Sequence, residues 1–260
     1  MDKPKSDIVS RRLERRLKEL FVKAMATYHL IEDDDRILVG LSGGKDSLCL
    51  LELMASRAKI EHPRFSVEAL HVRMENIHYE TDTSYLQQFC DDLGIRLHVR
   101  TTRFEVEESL DLGDHPNNAR LRKQKQPCFL CSWMRRKEMF NLAQELGCNK
   151  IALGHHQDDL IHTALMNLIF QGRFDSMPAR LKMRKMPLTI IRPLCLMHEA
   201  DIKAFAKMRN YHKQTKSCPY EKDSHRTDIK RIYDEMELMN PEVRFSIWRA
   251  LNTANKLIKE

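Results

Sequence analysis
The sequence predicts an α/β fold, a mostly parallel sheet flanked by helices. Three observations predict it. Short apolar runs rich in Val, Ile and Leu alternate with longer stretches of helical periodicity, the pattern of strand–helix–strand units. The connections between successive runs are long enough to be helical crossovers, which join parallel strands. Two of the runs end in Ser42-Gly43-Gly44 and Gly154-His155-His156, turns that open straight into a helix. Parallel sheets bind their ligands at such carboxyl ends.

The first element is a helix over 7–28, where Ile8, Val9, Leu13, Leu17, Leu20, Phe21, Ala24 and Met25 recur at helical spacing. Its opposite face, rich in Arg and Lys, reads as solvated surface or as a face for RNA. A strand at 36–41 feeds a helix at 45–58. A strand at 66–73 feeds a helix at 82–93 that a glycine ends, and a further strand follows at 95–101. Residues 102–127, containing DLGDHPNNARLRKQKQP, are polar and read as a long loop. A helix at 129–146 is closed by Gly147. A strand at 150–154 leads into a helix at 157–170, and a strand at 188–193 into a helix at 198–208. The tail, 226–258, reads as two helices broken at Asn240-Pro241. The expected organisation is an N-terminal helix over 1–30, a main domain over 31–215 and a C-terminal helical segment over 216–260. Basic clusters at Arg120, Arg122, Lys123 and Lys125, and at Arg180, Lys182, Arg184 and Lys185, fall in predicted loops. They read as solvated surface or as a track for RNA phosphates.

Composition narrows the class. A chain of 260 residues, 42% hydrophobic and 31% charged, can bury a sizeable core and is not a disordered segment. The formal net charge of +7 favours a polyanionic partner. No apolar stretch reaches the roughly 18 residues of a membrane-spanning helix, and residues 1–20 lack the apolar core of a signal peptide. A cytoplasmic location with no membrane partner is therefore expected. Seven cysteines in such a setting point to metal or redox chemistry over disulfides.

Three motifs carry chemistry. In Ser42-Gly43-Gly44-Lys45-Asp46-Ser47, two of only 8 glycines stand side by side. Glycines turning into a helix start present N–H groups and the positive end of the helix dipole to an anion. Lys45 adds a cation, and Ser42 and Ser47 add hydroxyls, so the segment reads as a phosphate cradle. It lacks the G-x-x-x-x-G-K-[ST] spacing of a Walker A loop.

The second motif is Cys128-Phe129-Leu130-Cys131, a C-x-x-C pair followed by Arg135, Arg136 and Lys137, cations that favour thiolates and attract anions. A redox pair, a zinc site and an iron–sulfur site all fit it. Cys49, Cys90, Cys148 and Cys195 sit in apolar or turn contexts and read as core. Cys218, in the polar stretch KQTKSCPYEK, would be a third thiolate, and three ligands leave one metal position open. The third motif is Gly154-His155-His156-Gln157-Asp158-Asp159. Carboxylates at a helix start cap it. Opposite a phosphate loop, Asp158 and Asp159 also suit Mg²⁺. The two histidines read as structural.

Together these residues identify a resemblance. SGGKDS after a strand resembles the PP-loop of the ATP pyrophosphatases, a Rossmann-like, adenine nucleotide alpha hydrolase-like fold. With PCFLC, GHHQDD and Cys218, and with IRPL at 191–194 and QGRFDSMPARL at 171–181, the chain is similar to the tRNA 2-thiocytidine synthetases (TtcA-type), relatives of the TtuA-type 2-thiouridine enzymes. The similarity runs from about residue 20 to residue 218. It implies a [4Fe–4S] cluster on Cys128, Cys131 and Cys218, with ATP and Mg²⁺ at Ser42, Gly43, Gly44, Lys45, Asp46 and Ser47. It also implies Gly154, Asp158 and Asp159 beside the nucleotide, with Lys45, Asp158, Arg135 and the three cysteines carrying the chemistry. The expected activity is ATP-dependent 2-thiocytidine formation at position 32 of a tRNA anticodon loop. A cysteine desulfurase or sulfide would donate sulfur, and a homodimer is a further expectation. Formation of 2-thiouridine or lysidine, and a non-catalytic zinc RNA-binding protein, are the alternatives.

Overall fold
The computed structural model describes residues 3–75, 82–104, 127–212 and 225–260, with side chains from residue 8 onward. Of the loop predicted at 102–127, residues 105–126, with the first basic cluster, lie outside the described residues, as does Cys218, while Thr102 ends a strand and Pro127 opens a helix.

Seven strands form one sheet in the order β3-β2-β1-β4-β6-β5-β7. They are β1 (Arg36–Gly40), β2 (Ser66–Met74), β3 (Leu97–Thr102), β4 (Lys150–Ala152), β5 (Arg180–Lys182), β6 (Thr189–Ile191) and β7 (Ile258–Lys259). β3, β2, β1, β4 and β6 run parallel. From β1 the chain goes first to one side, through β2 and β3, and later to the other, through β4 and β6. The order thus reverses between β1 and β4, where open α/β sheets bind ligands.

The helices in chain order are α1 (Lys3–Tyr28), α2 (Lys45–Ala58), α3 (Thr83–Leu93), α4 (Pro127–Glu145), α5 (Gln157–Gln171), α6 (Glu199–Met208), α7 (His225–Met239) and α8 (Val243–Thr253). Alternate residues of a strand face opposite sides of the sheet, and β1 is apolar on both. Ile37 and Val39 join a core with Leu48 and Leu51 of α2, Phe21 of α1 and Ile161 of α5. Leu38 packs on the other face with Leu142 and Ala143 of α4. The first and last helices meet in the larger core: the Tyr28 hydroxyl donates to Asn252 Oδ1 at 3.2 Å, and its ring stands edge-on to Trp248.

Two sequence expectations need correction. Arg180 and Lys182 belong to no loop; they lie on β5, antiparallel to β6. A three-residue strand that is basic at both ends carries no alternation to reveal it. The tail does not end as a helix, because Ile258 and Lys259 pair with β5 as an edge strand. Cys195, read as core, is fully buried in the turn that follows β6.

Candidate active site
The two ligand-type turns lie side by side at the reversal point. After β1 the backbone turns at Gly43, whose φ of 79° a side chain would resist, and Gly44 caps α2 in extended conformation. Hydroxyls fix the turn. Ser47 Oγ donates to the Gly44 carbonyl at 2.9 Å and accepts from the Ser42 N–H at 3.2 Å, while Ser42 Oγ lies 3.2 Å from Ser47 Oγ. The first backbone bond of α2 runs from the Leu48 N–H to the Gly44 carbonyl, so the N–H groups of Lys45, Asp46 and Ser47 precede the helical ladder.

Gly154 brings β4 against this turn. A Cβ there would stand 3.0 Å from the Asp46 carbonyl carbon and oxygen and 3.1 Å from the Ser47 nitrogen. Only glycine permits that approach, which seats the start of α5 beside the start of α2.

Three carboxylates then surround one imidazole. His156 Nε2 is 3.8 Å from Asp46 Oδ1 and 3.5 Å from Asp159 Oδ2, and Nδ1 is 3.5 Å from Asp158 Oδ2. Burial pulls the His156 pKa down, but Asp158, Asp159 and Asp46 outweigh it and hold it above the ordinary value. Asp159 caps α5, accepting the His156 N–H at 3.1 Å. Asp158 reaches the other way. Its Oδ2 accepts the Glu199 N–H at 2.8 Å and its Oδ1 accepts from Arg244 Nη2 at 2.8 Å. Burial would raise its pKa, and His156, Arg244 and the Glu199 N–H together hold it far below the carboxylate range.

Lys45 Nζ lies 2.9 Å from Asp46 and 3.3 Å from Glu199. Burial lowers its pKa, and the two carboxylates more than compensate. Behind His155 sits Arg192 of the IRPL segment. It is 7% exposed and donates Nη1 to the Pro178 carbonyl at 2.5 Å. Burial, then the Arg192 charge, push His155 down to about 4.

On the other face, α4 opens with Cys128, exposed, and Cys131, half-buried, one helical turn apart and so on neighbouring sides of one face. Arg135 and Met139 follow at four-residue spacing and line a cavity of about 140 Å³ with Ser42 of the glycine turn. The cysteine-bearing helix and the phosphate-type turn therefore share a wall. Cys49, Cys90, Cys148 and Cys195 are buried, as read.

This arrangement has relatives. A family model described as a PP-loop domain matches residues 9–232. The chain belongs to the PP-loop family. It belongs equally with the tRNA-cytidine(32) 2-sulfurtransferases. It is 34% identical to the enzyme of that name from Marinomonas sp. (strain MWYL1) over 211 residues, 80% of this chain and 71% of the relative. It is 32% identical over 243 residues to tRNA-cytidine(32) 2-sulfurtransferase 2 of Francisella tularensis subsp. novicida (strain U112), covering 92% and 90% of the two chains. Among solved structures it is similar to the U34-tRNA thiolase NcsA from Methanococcus maripaludis with its [4Fe-4S] cluster. The TM-score is 0.72 and the identity 26%, over 93% of this chain and 80% of that one.

The Ser42–Ser47 turn and the Gly154–Asp159 segment lie against each other, and Cys218 lies outside the described residues. Among the described residues no group of three His, Cys, Asp or Glu side chains is gathered tightly enough to hold a metal by itself. Sequence reading missed Glu199 and Arg244, which reach the site from α6 and α8 and belong to no motif, and His71, whose ring lines the cavity.

Proposed function
We propose that this PP-loop protein is a tRNA-cytidine(32) 2-sulfurtransferase that adenylates the base with ATP and then replaces its oxygen with sulfur. The observation that carries the reading is the shared wall: Ser42 of the PP-loop and Arg135, one turn beyond Cys131, line one cavity. The helix that carries the thiols thereby lies beside the turn that would hold ATP, so activation and sulfur delivery would be neighbours.

In the first step the cytidine O2 attacks the α-phosphorus of ATP, and the bond to the pyrophosphate oxygen breaks. In the second, a sulfide sulfur attacks C2, the C2–O bond breaks, AMP departs with the electron pair, and the sulfide proton passes to solvent. The base oxygen is a poor leaving group until the adenylyl group is on it. The N–H groups at the start of α2 and the Lys45 ammonium face the charge that develops on pyrophosphate. Glu199 and Asp46 hold that ammonium protonated and in place.

Mg²⁺ fits the carboxylate cluster, because Asp46, Asp158 and Asp159 converge on the one His156 ring. Asp158 is engaged by Arg244 and by the start of α6, which leaves Asp46, paired with Lys45, and Asp159, the cap of α5, as the carboxylates that would hold the metal. Mg²⁺ there would neutralise phosphate charge. An iron–sulfur cluster fits the donor chemistry of Cys128 and Cys131, two thiols on one helix face, with Cys218 as third ligand and sulfide or a cysteine desulfurase as sulfur source. When bound, it would supply an open iron position to receive sulfur.

The test is anaerobic purification with iron analysis, and mass spectrometry of tRNA nucleosides from cells with and without the gene. Iron in the protein and loss of 2-thiocytidine from the deletion strain are expected. A protein without iron, together with unchanged tRNA, overturns the reading.

A further inference from the structure
His71 on β2 is 2% exposed and belongs to none of the motifs above. Its Nδ1 lies 2.8 Å from the Leu41 carbonyl oxygen. A carbonyl only accepts, so Nδ1 carries the hydrogen, and in the neutral ring Nε2 is then a bare lone pair. Nε2 has no hydrogen-bond partner, although a buried polar atom ordinarily has one. Burial, with the charges of Arg135 and Arg73, lowers the pKa of this ring, which keeps it neutral at pH 7.

The ring lines the cavity of about 140 Å³ between the PP-loop and α4, together with Leu41, Ser42, Val72, Met139, Leu153 and Arg135. Drug-sized ligands fill roughly 300–1,000 Å³. This cavity suits one fused heteroaromatic ring, and its walls are largely apolar, as a base requires. With Nδ1 tied back to Leu41, Nε2 is the one polar atom that the ring has left to offer an occupant.

We infer that His71 is a specificity-determining residue: its Nε2 accepts a hydrogen bond from the exocyclic amino group of the adenine of ATP and so selects adenine over guanine. The inference rests on the PP-loop being the ATP site and adds the rule by which that site chooses its base. Guanine would bring a carbonyl oxygen to the same position, setting acceptor against acceptor. A site that hydrogen-bonds a substrate N–H rejects analogues lacking it, because its own buried atom stays unpaired.

The test is equilibrium binding of three triphosphates to the full chain: ATP, purine riboside triphosphate (hydrogen at C6) and GTP. Wild type is expected to bind purine riboside triphosphate about three- to tenfold more weakly than ATP, the worth of one neutral hydrogen bond, and GTP more weakly still. In His71→Ala the gap between ATP and purine riboside triphosphate is expected to close to within about twofold. A gap that persists in the variant, or is missing in wild type, overturns the assignment while leaving the ATP site intact. Failure of every triphosphate to bind wild type overturns the ATP-site reading itself. Should His71→Ala fail to fold, ¹⁵N spectra of histidine-labelled wild type decide. A shift of the His71 Nε2 resonance with ATP but not with purine riboside triphosphate supports the inference, and an equal response to both overturns it.

Discussion
Arg244 of α8 donates to Asp158 of α5 across 86 residues of sequence, at 2.8 Å. The contact belongs to a longer chain of bonds. Asp158 accepts the Glu199 N–H at the start of α6, and the Glu199 carboxylate holds Lys45 of the PP-loop. Three links therefore connect α8 to the Lys45 ammonium at the start of α2. Arg244→Ala removes the partner of a carboxylate that is only 13% exposed, and should cost about 2–3 kcal/mol of stability. Urea midpoints measure that cost. Because Asp158 would then turn toward another partner, ATP affinity should fall as well, and Arg244→Lys should restore part of it.

Gly154→Ala should be harmful out of proportion to its size. The new methyl meets backbone, not a yielding side chain, at 3.0 Å. The two turns must separate, at a cost of about 1–3 kcal/mol, with at least about tenfold weaker ATP binding if the separation disturbs the phosphate cradle by a fraction of an ångström. Calorimetric binding and thermal melts on the same preparation check both.

Lys45→Ala should leave the fold and tRNA binding near wild type, since its ammonium is partly exposed and only surface-type pairs are lost. Pyrophosphate release in the presence of tRNA should drop by about a hundredfold or more, the scale of losing one charge-stabilising donor. Retained turnover would remove Lys45 from the mechanism.

Cys128→Ala, Cys131→Ala and Cys218→Ala should each abolish thiolation, and Cys49→Ala should not. The measurement is 2-thiocytidine in tRNA from complemented deletion cells. A redox pair would instead need only Cys128 and Cys131, so an active Cys218→Ala protein would favour that chemistry.

Asp175 ties β7 to the end of α5: its carboxylate accepts from Lys259 Nζ at 2.9 Å and from the Ser176 N–H at 3.0 Å. Burial alone would raise its pKa, yet Lys259 and the Ser176 N–H hold it below the ordinary value. A carboxylate with a depressed folded pKa stabilises the fold above its unfolded pKa, about 3.9, and loses that contribution as the pH falls further. Asp175→Asn should therefore be less stable than wild type at pH 6, with the difference beginning to shrink below pH ~4 and vanishing only in stronger acid, below the lowered folded pKa. Urea titrations across that range give the comparison.

How much of this was readable from sequence depends on distance along the chain. α2, with bounds Lys45–Ala58, follows from Gly44 and the apolar spacing of Leu48, Leu51 and Leu53, all within one helix. Gly154 and Asp159 were readable as a strand-end turn and a cap, because a cap is a bond between neighbours. The division of labour between Asp158 and Asp159 was not, since it is decided by Arg244 and Glu199, which no local pattern connects to them. His71 sits in an apolar strand and resembles its neighbours until its two nitrogens are found in different surroundings. The short basic strand β5 acquires its identity only from β6 beside it.

The pairing of Tyr28 with Asn252 and Trp248 also sets a clock. Helix α1 is made before α8, with Phe21 and Tyr28 among the side chains it must bury, and Asn252, the partner of Tyr28, comes 224 positions later. At ~5–20 residues per second of synthesis, that apolar face waits roughly ten to forty-five seconds for its last cover. Arg244 arrives in the same stretch of chain, so the nascent protein carries a PP-loop long before it carries the clasp that steadies it. The unfinished chain is therefore the form that exposes the apolar face of α1.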